Sequence, residues 1–182
     1  MRVDSAALRP SPPRRVGSAP MAWTLRRPAA RVVLLDRHGR IFLMQASDPI
    51  DPRKGPWWEI PGGGLGPGED SAEGARRELW EEAGFAEVDV GPCIWTQHEE
   101  FDFAGIHFDS DERIHVAWCA DGGEWNPQHL EALEAAAFED ARWWTLDELL
   151  ASDDQVLPKR LREFLPDVVA GRLPEVPIDI SP

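Results

Sequence analysis

The stretch Gly63 to Phe85, GGLGPGEDSAEGARRELWEEAGF, constrains this chain more than any other. Its opening glycines free the backbone to take positive φ and to approach a ligand closely. A helix is predicted next, with Asp70 as N-cap, Glu73 three residues on, and Gly84 just past the end as C-cap. Ala72, Ala75, Leu79 and Ala83 recur every three or four residues and make an apolar stripe that packs on a sheet. The same period sets Glu78 beside Glu81 and Glu82. Like charges at that spacing cost a helix roughly 0.2–0.5 kcal/mol per pair, a cost that a bound cation removes. Hard divalent ions take oxygen ligands, and Mg2+ typically combines a few carboxylates with waters and substrate phosphates. The chemistry indicated is metal-assisted attack on a phosphate; the bland alternative is a solvated helix face.

Written as G-x5-E-x7-R-E-U-x-E-E-x-G-U, with U apolar, the stretch carries Gly63, Glu69, Arg77, Glu78, Leu79, Glu81, Glu82, Gly84 and Phe85 in place, and so resembles the Nudix box at every position. Trp58-Glu59-Ile60-Pro61-Gly62-Gly63 resembles the strand and turn that lead into that box, although Gly66 stands where an acidic residue is often seen. The resemblance implies an α/β fold, a Nudix-type α/β/α sandwich with a mixed β-sheet. It implies divalent ions, Mg2+ or Mn2+, bound by Glu78, Glu81 and Glu82 together with a backbone carbonyl of Gly62 or Gly63. Glu78 and Glu81 are the expected catalytic carboxylates, and Arg77 their orienting partner. Glu131, Glu134, Glu139 and Asp140 lie where the family often supplies a further ligand or general base, with Glu134 and Glu139 the nearest choices. The implied reaction is hydrolysis of a diphosphate linkage in a nucleoside diphosphate derivative or nucleotide.

Net charge bounds the partners. The 182 residues carry 33 acidic and 19 basic side chains, a balance of −14. Such a chain is poorly suited to bind nucleic acid by neutralising phosphates. A small-molecule nucleotide is expected as substrate, with no nucleic acid and no membrane partner, and a homodimer is allowed. No apolar run approaches the roughly 18 residues of a membrane helix. Cys93 and Cys119 are too few for a disulfide framework, which points to a reduced, cytoplasmic setting. Residues 1–31 hold seven Arg against one Asp, leaving −20 for the rest. Residues 1–22 therefore read as a disordered Arg/Pro-rich arm, unless Met21 is the natural start or the arm tethers RNA or the acidic body.

Along the chain, residues 31–36 and 41–46 read as a hairpin, 47–56 as a loop and 57–60 as a strand. Beyond the box, strands are expected from 86 to a limit at Pro92, over 95–103 and over 113–120. A helix or helical loop is expected over 127–138, then a strand and short helix over 142–149 and an amphipathic helix over 157–170 through Leu161, Phe164 and Leu165. The implied division is a hydrolase domain over 23–150, a helical extension over 151–173 and a tail over 174–182. Gln97, His98, Glu99 and Glu100 are candidates for choosing the substrate, with exposed strand residues as the alternative. Among nine tryptophans, Trp95, Trp118 or Trp125 could stack a base, though most belong in a core. A ligand-sensing or protein-binding module without catalysis is the rival class, and an isomerase of the same fold a lesser one.

Overall fold

The computed structural model describes residues 24–120 and 122–182. The expected arm over residues 1–22 lies outside the described residues. The predicted hairpin becomes β1 (Thr24–Asp36) and β2 (Ile41–Ala46), antiparallel from Leu35 opposite Ile41. The chain continues through β3 (Trp57–Glu59), β4 (Gly62–Gly64), α1 (Ser71–Glu78), β5 (Asp89–Phe103) and β6 (Ile106–Cys119). It ends with α2 (Ala132–Ala137), β7 (Phe138–Trp144), α3 (Leu146–Ala151), β8 (Val156–Leu157), α4 (Leu161–Val169) and β9 (Ile178–Asp179). One mixed sheet runs β8-β3-β2-β1-β6-β5-β9, with β4 also on β1 and β7 on β2. Its centre is the parallel pair β1 and β6, in register from Thr24 opposite His107 to Asp36 opposite Cys119.

Alternation along β1 explains the layers, because successive side chains leave opposite faces of a strand. Ala30, Val32 and Leu34 pack against Ala75, Leu79 and Ala83, placing α1 and the turn after it on one face. Val33 and Leu35 pack with Leu149, Leu161, Leu165 and Val168, placing α3 and α4 on the other. Both faces of the central strands are thus covered, as parallel pairing requires. The α/β sandwich with a mixed sheet is the fold observed.

Several local expectations need correction. β5 is one strand rather than two: Pro92, which cannot donate to a ladder, sits where the register shifts between Val90 and Cys93 and again before Trp95. Only Ala132–Ala137 of the expected 127–138 helix is helical. The 174–182 tail instead places Ile178 opposite Trp95 in β9 and buries Ile180, whose apolar side chain joins the α3–α4 core. Among the described residues no helix is long and apolar enough to cross a membrane.

Candidate active site

The helix starts as expected, with the Asp70 side chain accepting from Ala72 N at 2.9 Å. Its end is not a regular α-helix. Leu79–Ala83 form a π turn, closed by Gly84 at φ 85° and by Phe85 N donating to Leu79 O at 3.0 Å. Such wide turns recur at functional sites because they re-aim side chains. Here Leu79 and Ala83 stay fully buried in the core while Glu78 and Glu82 are buried as well, 4% and 2% exposed.

Backbone and guanidinium groups hold these carboxylates. Gly62 N donates to Glu82 Oε2 at 2.8 Å. Gly63 lies against Glu78 so closely that a Cβ there would come within 2.8 Å of Oε1. Arg77 donates through Nε to Glu69 Oε1, and through Nη1 to Glu78 Oε1 and Glu81 Oε2, each at 2.8 Å. Its Nη2 reaches Gly64 O at 3.0 Å, so one side chain ties the glycine loop to the helix. The last helical carbonyls receive a distant segment: Trp125 Nε1 donates to Glu82 O, Asn126 N to Ala83 O, and Gln128 N and His129 N to Glu81 O. That segment leads into α2, where Glu131 N donates to Glu134 Oε2 at 2.8 Å.

Among the described residues, Glu78, Glu82 and Glu134 form a group whose nearest carboxylate oxygens all lie within 4.8 Å of one another. Glu81, expected with them, turns to Arg77 instead. Of the other acids weighed, Glu139 pairs with Ser47 Oγ and Asp140 accepts from Ala141 N, so neither joins the group. Gly62 O lies 3.3 Å from Arg31 Nη1. Burial pushes Glu78 up to about 7, and burial together with the charges of Glu78 and Glu134 holds Glu82 well above the usual carboxylate range. Glu134 is raised too, again chiefly by burial. The helix C-terminus adds its own negative potential. Three hard oxygen donors, two buried and the third half-buried, mutually repulsive and undercompensated, fit a divalent cation.

The raised carboxyls carry a stability consequence. A group with a folded pKa above its unfolded one binds its proton more tightly when folded, so its contribution is fully present below the unfolded value and is lost as pH rises through the folded one. For Glu78 the window runs from about 4.5 to about 7. The metal-free protein should therefore melt several degrees lower at about pH 7.5 than at about pH 5. Divalent salt should restore the midpoint at the upper end, and Glu78→Gln should flatten the slope. A flat profile in wild-type protein with chelator present would contradict the burial described.

Two cavities meet at this cluster. One, of about 650 Å³, is polar and runs along the glycine loop past Arg77, Glu78 and Glu81. The other, of about 620 Å³, reaches Glu82 and opens among Trp57, Phe101, Phe103 and Phe108. Arg27, Glu131 and Glu134 border both. Gln97 and Glu99 line the aromatic cavity, whereas His98 and Glu100 do not. None of Trp95, Trp118 and Trp125 lines it: Trp95 is core, and Trp125 is spent on Glu82 O. Arg27 was not foreseen from sequence. Its guanidinium lies 4.9 Å from the Phe108 ring centre, its Nε is buried without a hydrogen-bond partner, and among the described residues no carboxylate pairs with it. Its only sequence signal is position, four residues before Arg31 and therefore on the same face of β1.

Fold and site together define an α/β sandwich built around a buried carboxylate cluster suited to a divalent cation. The chain belongs to the NUDIX family: the model described as NUDIX domain matches residues 25–168. It is 29% identical over 154 residues to an RNA pyrophosphohydrolase of Novosphingobium aromaticivorans, covering 76% of this chain and 87% of that one. It is 33% identical over 129 residues to an RNA pyrophosphohydrolase of Caulobacter vibrioides, covering 67% and 73% respectively. The E. coli dihydroneopterin triphosphate pyrophosphohydrolase shares the fold, with a TM-score of 0.58 at 15% identity over 79% of this chain and 95% of that one. Members of this family generally need divalent cations.

Proposed function

We infer that the chain is a Nudix pyrophosphohydrolase that cleaves a diphosphate linkage of a nucleotide or nucleoside diphosphate derivative. The observation that carries this reading is the meeting of Glu78, Glu82 and Glu134 at the wall shared by a polar and an aromatic cavity. The nucleoside occupies the aromatic side and the phosphates lie across the cluster. Glu78, Glu82 and Glu134 hold the cation, Mg2+ or Mn2+, with Gly63 giving close backbone approach. When bound, that ion stabilises charge on the phosphate oxygens and lowers the pKa of coordinated water. Water oxygen bonds to phosphorus, the anhydride P–O bond breaks, and the leaving phosphate carries away the electron pair. The water proton passes to the Glu78–Glu81 pair, which Arg77 keeps in place. Arg27, at the junction and with no carboxylate partner among the described residues, neutralises a non-reacting phosphate. Charge-assisted hydrogen bonds contribute about 1.5–3 kcal/mol, so Arg27→Gln should raise KM about tenfold or more. An unchanged KM would remove Arg27 from the phosphate site.

The names of the two curated relatives add RNA to the substrate classes. The net charge of −14 weighs against long contacts with an RNA backbone. The deciding experiment measures orthophosphate and pyrophosphate release from nucleoside triphosphates, nucleoside diphosphate derivatives and a short 5′-triphosphorylated RNA. Release should vanish with chelator and return with Mg2+ or Mn2+. No release from any compound would favour the sensing module.

A further inference from the structure

The aromatic cavity has a polar end that, apart from Arg27, the pyrophosphohydrolase reading leaves unused. Its floor is a row of side chains on one sheet face, since Arg27 lies opposite Ser110 and Ser110 opposite Glu99, while Ala29, Glu112 and Gln97 form the next rung. Ser110 Oγ, Glu112 Oε1 and Arg27 Nε are buried without hydrogen-bond partners among the described residues, a concentration of unmet polar atoms that native interiors seldom tolerate.

Most charged groups around the cavity beyond the glutamate cluster are already engaged. Arg31 is spent on Glu112, Ile60 O and Gly62 O. Lys54 is spent on Asp48 and Asp102 O, and Glu59 accepts from Trp57 Nε1 at 2.7 Å. Glu99 and Lys159 form the remaining pair. Glu99 is 9% exposed, and its Oε1 lies 2.7 Å from Lys159 Nζ. Neither side chain has another partner among the described residues. A carboxylate accepts at about four lone-pair sites and an ammonium donates three hydrogens, so most of the pair's capacity is open. Above it, Phe101 and Phe108 stack with ring centres 5.0 Å apart and Trp57 meets Phe103 edge-on, giving flat apolar surfaces for a planar ring.

A planar heterocycle that satisfies this pair must turn adjacent N–H donors toward Glu99 and an acceptor toward Lys159. Guanine does so with N1–H, N2–H and O6. Adenine offers a single exocyclic donor beside an acceptor, uracil one donor between two acceptors, and cytosine one donor beside two acceptors. We propose that Glu99 and Lys159 read the Watson–Crick edge of a guanine base, making the enzyme selective for guanosine nucleotides. The inference rests on the hydrolase reading and names its base.

Two measurements separate the two claims. In the first, kcat/KM is compared for GTP, ITP and ATP with Mg2+, in wild type, Glu99→Gln and Lys159→Met. A bidentate base contact discriminates by about 10–100-fold, so GTP should exceed ATP by that factor, with ITP, which lacks the N2 amine, between them. Glu99→Gln should reduce the preference to about threefold or less, and Lys159→Met should narrow it. Wild-type rates for GTP and ATP within about threefold of each other, or an undiminished preference in folded Glu99→Gln, would overturn the assignment. In the second, calorimetry compares GDP and ADP binding to the wild-type protein and needs no turnover. Tighter GDP binding without hydrolysis of any nucleotide would keep the base assignment and sink the hydrolase reading. Equal binding of GDP and ADP would sink the base assignment alone.

Discussion

Glu82→Gln should lower turnover by about three orders of magnitude while the protein stays folded. Cation-assisted charge stabilisation supplies several kcal/mol, and each 1.36 kcal/mol is a factor of about ten in rate. The amide matches the carboxylate in shape, and its carbonyl oxygen can still accept from Gly62 N. What it removes is the capacity to carry a negative charge facing Glu78 and Glu134. The thermal midpoint without metal should therefore hold or rise. Steady-state kinetics beside a melting curve checks both halves. Activity within about tenfold of wild type would show that Glu82 does not hold the ion.

Gly62→Ala should cost roughly 3–5 kcal/mol, enough to unfold a large share of the protein at ambient temperature. Gly62 has φ 142°, and a Cβ there would come 2.3 Å from Ala30 O and 2.5 Å from Arg31 Cα. Both atoms are backbone of the central strand, fixed on its other side by the ladder to β6. Neither can rotate away, unlike the contact at Gly63, which meets a side chain. Urea unfolding measures the loss. A variant within about 1 kcal/mol of wild type would mean that the glycine loop can move off β1.

Much of the site was legible because its chemistry restricts residue types. Glycines before the helix and Asp70 and Gly84 at its ends follow from local sequence rules, whereas the glutamates stand out as a site through the resemblance of the whole stretch. The third carboxylate was not legible. Glu134 and Glu139 are the same residue type five positions apart, and the choice depends on where residues 125–129 dock, which no local period encodes. The π turn was hidden for a related reason: Leu79 and Ala83 are buried in the core and Phe85 packs against it, a tertiary setting that no local period encodes. Among the tryptophans, composition could not tell Trp57, at the cavity, from Trp95, in the core, since both lie in alternating strand sequence. Pro92 read as a strand end because a bulge tolerates the residue that usually stops a ladder.

The docking of residues 125–129 on the last carbonyls of the helix has a consequence for anyone transplanting this site. Copying the box onto an idealised helix would carry over the letters and two of the buried acids. It would leave behind the receptor that draws in the loop before α2, and with it the third acid. The transferable unit is therefore a helix together with the manner of its ending, and the motif is only the part of that unit that sequence writes contiguously.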